Sequence, residues 1–124
     1  MDLNSLGNWY NQMERLGEAN MPFVEVDGVM YTPTQILAHA RANDAIWQRI
    51  QQVRPDLDPE EYPTTLLIAR IEQRMAEGRL APIYILGVGE LTPEQQLEEI
   101  RKGTPIGLEI LQAEAGLIKE LSPR

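Results

Sequence analysis

The sequence predicts a mainly α-helical domain of the α+β class, built from two pseudo-repeated units of helix, extended segment, helix and helix. Residues 32–52 align without a gap with residues 92–112, with eight identical residues in 21 positions. Average residue usage would give about one or two identities. Both copies contain the same helix start, and apolar residues outside two β-rich segments recur at helical spacing. We therefore predict a single domain over residues 1–124, with an internal repeat at 4–54 and 64–121.

The first element of each half is a helix. Residues 4–18 carry apolar side chains at helical spacing, and so do residues 64–77, which Gly78 closes. The halves are joined by residues 55–63, an acidic linker rich in proline. Within it, residues 58–61 read Asp-Pro-Glu-Glu, the pattern of a capped helix start. We expect that pattern to be structural.

The second element is an extended segment. Residues 22–31 contain Asp27-Gly28 between two runs of β-forming residues. This pair predicts a hairpin, because a tight turn needs positive φ at both central residues. The matching segment, residues 82–91, has a glycine on each side of Val88 and a weak second arm. The sequence leaves open whether this segment forms a hairpin, and whether the arms pair within a half or across the halves.

The third and fourth elements are two helices with a break between them. Thr-Pro at 32–33 and at 92–93, with a glutamine three residues after each threonine, predicts a capped helix start. Asn43 and Gly103 tolerate the left-handed conformation just past a helix end, and each is followed by a good N-cap residue. We predict these four helices at 33–42, 45–53, 93–102 and 105–121.

Composition limits the classes of function. The chain has 124 residues and no cysteine, which excludes disulfides, thiolate metal sites and cysteine nucleophiles. Its formal net charge of −8 opposes binding to phosphate backbones and to anionic lipids. The sequence shows no signal peptide and no apolar run long enough to cross a bilayer. We therefore expect a soluble, cytoplasmic protein with no membrane partner.

No set of residues predicts catalysis. His39 is the single histidine, and we expect it on the surface, without a second histidine to share a metal ion. Gly87 and Gly89 are interpreted as turn residues, because no second βαβ unit follows them. The carboxylates of residues 56–61 lack the glycine and the distal glutamate of a calcium loop. We expect no enzyme activity, cofactor or metal; an enzyme would need Glu90 to converge with those carboxylates.

The leading interpretation is a non-enzymatic protein-interaction module, such as an adaptor, an assembly factor or a small regulator, that self-associates as a homodimer. The last predicted helix has an apolar stripe wide enough for the core, for a partner, or for both, and the sequence leaves that choice open. A tryptophan could also anchor an interface. Such a protein would suit a virus, a plasmid or other mobile element, or a macromolecular machine. The candidate interface residues are Ile106, Ile110, Leu117, Leu121 and Trp47.

The alternative interpretation is a nucleic-acid-binding regulator of helix-turn-helix type. The helix pair over residues 33–53 carries glutamine and arginine side chains, which read base edges well. The candidate contacts are Gln48, Arg49 and Arg54. Against this alternative, the matching helix of the second copy is acidic, and so is the whole chain.

Overall fold

The computed structural model describes residues 1–57 and 62–123. These residues form six α-helices, two antiparallel hairpins and one short 3-10 turn, which confirms the predicted fold class. In chain order the elements are α1 (Leu3–Arg15), β1 (Val24–Val26), β2 (Val29–Tyr31), α2 (Pro33–Ala42), α3 (Ala45–Val53), the 3-10 turn (Pro55–Leu57), α4 (Thr64–Ala76), β3 (Ile83–Ile85), β4 (Gly89–Leu91), α5 (Pro93–Lys102) and α6 (Pro105–Leu121).

Helices α2 and α5 begin and end where the sequence predicts. The hydroxyls of Thr32 and Thr92 each accept a hydrogen bond at 3.2 Å from the backbone N–H three residues on. The glutamine at that position returns a hydrogen bond to the threonine N–H, which completes a capping box. Asn43 and Gly103, with φ of 48° and 67°, end the two helices in the left-handed conformation.

The ends of α1 and α4 fall short of their predicted positions. Helix α1 ends at Arg15 because Gly17 turns the chain with φ of 74°, and the backbone N–H of Glu18 bonds back to the last turn at 2.8 Å. Helix α4 ends at Ala76, one residue early, ahead of Gly78 with φ of 69°. In both cases a glycine two residues beyond the helix closes it in a left-handed turn.

Both extended segments fold as hairpins whose arms pair within their own half. In hairpin 1, formed by β1 and β2, Asp27 and Gly28 have φ of 52° and 79°, as the tight turn requires. Hairpin 2, formed by β3 and β4, pairs Ile83 with Leu91 across a longer loop at residues 86–88. Residues 82–91 therefore do form a hairpin, and the arms of both hairpins pair within a half and not across the halves.

One hydrophobic cluster takes side chains from both halves. The Trp9 ring packs edge-on against Phe23 at 5.0 Å, and its Nε1 donates a hydrogen bond to the backbone oxygen of Leu121 at 2.8 Å. This bond ties the first helix to the last. Other buried members are Leu6, Met13, Ile36 and Ile50 from the first half, and Leu66, Ile71, Leu97, Ile100 and Ile118 from the second.

A buried network of ion pairs joins α4 to α6 and to the loop after α1. The Arg70 side chain is fully buried; its guanidinium donates to Glu18 at 2.7 Å, to Glu114 at 2.9 Å and to the Pro22 backbone oxygen at 2.7 Å. Arg74 donates two further hydrogen bonds to Glu114. Two arginines and two glutamates thus balance in charge, and a buried charge is tolerated only when it is paired in this way.

The linker between the halves is described only in part. In the 3-10 turn, Asp56 and Leu57 have φ of 55° and 58°, and Leu57 is buried. Residues 58–61 lie outside the described residues, and with them the helix start predicted there and three of the four clustered carboxylates. Across residues 1–57 and 62–123, each helix is too short or too polar to cross a bilayer.

Candidate protein-interaction surface

The inward face of α6 is not centred on the four candidate interface residues of this helix. The buried positions of the helix are Gly107, Leu111, Glu114 and Ile118, and Ser122 just past its end is buried too. The candidate interface residues flank this face: Ile106, Ile110 and Leu121 are half-buried, and Leu117 is 38% exposed. They border both the core and the solvent.

Trp47 lies in the core. Its side chain is only 6% exposed and belongs to the buried cluster beside Ile50. Its backbone N–H donates to the Asp44 side chain at 2.9 Å, which caps α3. The indole ring is therefore buried in the core and does not form an exposed interface anchor on the described surface.

The side chains of the nucleic-acid alternative are already engaged within the chain. Arg49 binds Asp27 at the tip of hairpin 1 through two hydrogen bonds, at 2.9 and 3.0 Å. This guanidinium holds the pKa of Asp27 below its ordinary value. Gln48 donates to Asn43 at 2.6 Å, and Arg54 is half-buried and donates to a neighbouring carbonyl. Reading DNA bases would require the Arg49 ion pair to break.

His39 is half-buried, not fully exposed as expected. Its Nδ1 lies 2.6 Å from the Asp44 carboxylate, and the Tyr31 ring stands edge-on to it at 5.9 Å. The hydrogen bond with His39 is the main cause of a lowered pKa at Asp44. At the same positions of the second half, Thr104 donates to the Glu99 carboxylate at 2.5 Å. Each contact links the end of one helix to the start of the next, at the turn from α2 to α3 and at the turn from α5 to α6.

Hairpin 2 displays the most exposed apolar side chains of the described residues. Tyr84 is 74% exposed, Leu86 is 90% exposed and Val88 is 56% exposed. We call these three residues the hairpin 2 patch. They stand close together on one strand and its loop, whereas the exposed Leu3 and Leu16 lie at opposite ends of α1. A local concentration of exposed apolar groups marks a binding surface more strongly than scattered ones do.

The patch lies in a segment with no charged residue. Residues 80–89 contain neither an acid nor a base, and between Arg79 and Arg101 the only charged residues are glutamates. Glu90 faces Tyr84 directly across the strand pair, and therefore stands on the same side of the hairpin. The patch is thus an apolar surface with an acidic border.

The two hairpins differ in what covers them. The strand pairing places Ile83 and Ile85 where hairpin 1 has Val24 and Val26, because Val24 pairs with Tyr31 and Ile83 pairs with Leu91, the residue 60 positions after Tyr31. The two valines are only 1% and 4% exposed, because α3 packs against β1, whereas the two isoleucines are half-buried. In the second half α6 packs against α5 and α4. Tyr84 lies on the opposite face of its strand from the isoleucines and is exposed.

The described residues contain no group of three histidine, aspartate or glutamate side chains close enough to hold a metal ion. A groove of about 640 Å³ runs between the start of α1 and the end of α6, and is lined mainly by polar side chains such as Ser5, Asn8 and Gln12. It is open to solvent, and Met1 and Glu120 are also among its lining residues.

Sequence reasoning overlooked the hairpin 2 patch because the second arm looked weak. The signal that could have found it is the ten-residue run without charge, in a chain where 24% of residues are charged. Exposed interfaces are depleted in charge at their centres. Comparisons of the chain with protein-family models, with curated proteins and with solved structures found no match.

Proposed function

We propose that the chain is a non-enzymatic protein-interaction module, an adaptor or small regulator of the cytoplasm, that binds its partner through the hairpin 2 patch. The observation that carries this proposal is the exposure of Tyr84, Leu86 and Val88 together, in a stretch without charge. Leaving such side chains in water is unfavourable by about 25 cal/mol per Å². A protein partner would cover this area.

A protein suits this surface better than the other classes of partner. The side chains of the patch are 56–90% exposed at the loop of a hairpin, whereas small ligands bind in concave sites that bury most of their surface. Its border is acidic, which opposes nucleic acid. Tyrosine is enriched among the residues that dominate the binding energy of protein–protein contacts, and burial of exposed leucine and valine side chains against a partner is favourable.

The test is co-purification from the cells that carry the gene, with tagged wild type and two matched variants. Leu86→Ser alters the patch; Leu16→Ser removes an equally bulky side chain that is 53% exposed after α1. Because both leucines are exposed, both variants should fold as the wild type does. We expect a partner protein that is retained by wild type and by L16S and is lost with L86S.

The proposal fails if wild type and L86S retain the same proteins in the same amounts. It also fails if L16S and L86S lose the same partner equally, because binding would then depend on general surface hydrophobicity.

A further inference from the structure

Hairpin 2 holds an aromatic ring and a carboxylate side by side on its exposed face. Tyr84 and Glu90 lie directly opposite each other in the strand pair, so their side chains leave the same face of the hairpin with Cβ atoms about 5 Å apart. Both residues are exposed. In the part of the chain that the structure describes, neither the phenol nor the carboxylate makes a hydrogen bond or an ion pair. Both groups can therefore be contacted by a molecule from outside.

The charge around this pair is negative. Glu94 follows Glu90 by four residues, and every charged residue between Arg79 and Arg101 is a glutamate. Arg79 and Arg101, the nearest bases along the chain, each already pair with a glutamate, at 2.7 and 3.8 Å. A binding surface and its partner tend to have complementary charge. The partner of the hairpin 2 patch should therefore present a cation.

An arginine fits the pair better than a lysine. A planar guanidinium stacks on an aromatic ring and can donate two parallel hydrogen bonds to one carboxylate, whereas an ammonium is compact and strongly hydrated. Hairpin 1 shows such a contact inside the chain, where the exposed Asp27 carboxylate accepts two hydrogen bonds from Arg49, at 2.9 and 3.0 Å. The carboxylate of hairpin 2 has no such arginine among the described residues.

We propose that the hairpin 2 patch binds a partner segment through an arginine, which stacks on the Tyr84 ring and donates hydrogen bonds to the Glu90 carboxylate, while an apolar side chain beside that arginine packs on Leu86. The aliphatic stem of arginine also covers apolar surface. This inference rests on the proposed function and specifies the chemistry of the partner. A symmetric contact between two copies of the patch is disfavoured, because it would bring two Glu90 carboxylates together.

The test uses three short synthetic peptides that differ at one position. Each is capped at both ends, has a leucine on either side of the test position and is otherwise uncharged; the test residue is arginine, citrulline or lysine. Citrulline keeps the planar shape of arginine without its charge, and lysine keeps the charge without the plane. Each peptide is titrated into the full chain, labelled with ¹⁵N, and backbone amide shifts are followed by NMR. So few contacts predict a Kd on the order of 1 mM for the arginine peptide.

We expect the arginine peptide to shift the amides of residues 83–90 most. The citrulline peptide should bind about fivefold more weakly, because it loses the ion pair and the cation–π contact. The lysine peptide should bind about two- to threefold more weakly, because it loses the stacking and the paired hydrogen bonds.

Variants of the chain assign each preference to one side chain. Glu90→Gln should remove most of the preference for arginine over citrulline, whereas Glu94→Gln, which makes the same change of charge four residues away, should keep it. Tyr84→Leu should remove the preference for arginine over lysine and keep an apolar side chain in place. Amide shifts far from the hairpin report whether each variant keeps its fold.

The inference is overturned if the arginine peptide leaves residues 83–90 unshifted, if citrulline binds as tightly as arginine, or if E90Q and E94Q behave alike. Shifts at residues 83–90 that depend on the concentration of the chain alone would identify a second copy as the occupant and would also overturn it. If any of these results is found while L86S still loses its cellular partner, the arginine is wrong and the interaction surface stands. If L86S retains that partner, the proposed function itself fails.

Discussion

At the scale of single residues, the buried guanidinium of Arg70 joins more of the molecule than any apolar contact described above. It reaches Glu18 after α1, Pro22 before hairpin 1 and Glu114 on α6. Removal of one partner from a buried ion pair leaves an uncompensated charge in a medium that solvates it poorly. The network therefore makes the packing of the second half against the first depend on a few polar side chains.

We predict that Glu114→Gln lowers the free energy of unfolding by about 3 kcal/mol, because both arginines then share only Glu18. The control is Glu72→Gln, which removes an exposed ion pair with Arg101 at 3.8 Å and should change stability by less than about 0.5 kcal/mol. Urea unfolding followed by circular dichroism measures both. Equal effects of the two variants would contradict the role given to the network.

The same carboxyl predicts a dependence on pH. Burial by itself raises the pKa of Glu114, but hydrogen bonds from Arg74 and Arg70 outweigh it, so the pKa lies below its ordinary value of 4.5. A carboxyl with a lowered folded-state pKa stabilises the fold fully above the unfolded-state pKa, and this contribution is lost as the pH falls through the folded-state pKa.

We therefore expect the stability difference between wild type and E114Q to be constant near neutral pH and to shrink as the pH falls below 4.5. Urea unfolding of both proteins between pH 7 and pH 3 measures it. A difference that persists unchanged at pH 3 would show that Glu114 acts through packing and not through its charge.

At the scale of elements, the sequence alone predicted the helix starts and ends that depend on neighbouring residues. The threonine caps of α2 and α5 and the left-handed residues Asn43 and Gly103 act within one turn of chain, so sequence alone locates them. The inward face of α6 depends on partners far away in sequence. Gly107 faces inward because α5 approaches there, and Glu114 because two arginines meet it; hydrophobicity alone would place neither inside.

We predict that Gly107→Ala destabilises the protein by about 1–3 kcal/mol, because a Cβ at this position would overlap the backbone of Glu99 and Ile100. The control is Gly116→Ala on the same helix, where an added Cβ meets open space. That variant should be neutral or more stable by up to about 1 kcal/mol, because alanine favours the helix over glycine. Thermal unfolding measures the stability of both variants. If G116A proved less stable than G107A, the close approach of α5 and α6 would be contradicted.

At the scale of the whole molecule, helix, hairpin, helix and helix follow one another twice along the described residues. An origin of this order in duplication stays a prediction from the aligned residues. What the alignment could not foresee is the different cover on the two hairpins. That difference arises from where α3 and α6 pack, a property of tertiary structure, and it leaves Ile83 and Ile85 half-buried where Val24 and Val26 are buried.

Self-association through the flank of α6 is a separate prediction for the intact molecule. We expect light scattering at moderate salt to give the mass of a dimer, and Leu117→Asp to return the mass of a monomer. Leu108→Asp is the matched control, since Leu108 is 54% exposed on the same helix and is not one of the candidate interface residues. A monomer mass for wild type across the concentration range would contradict the dimer and leave the hairpin 2 patch as the surface for a different protein.

The central claim, that the hairpin 2 patch holds a protein partner, is tested most directly by a photoreactive amino acid placed at position 86 in cells that carry the gene. The account predicts a covalent adduct with one defined protein, and no such adduct from the same reagent at position 16. An unmodified chain from position 86, or the same adducts from both positions, would contradict it.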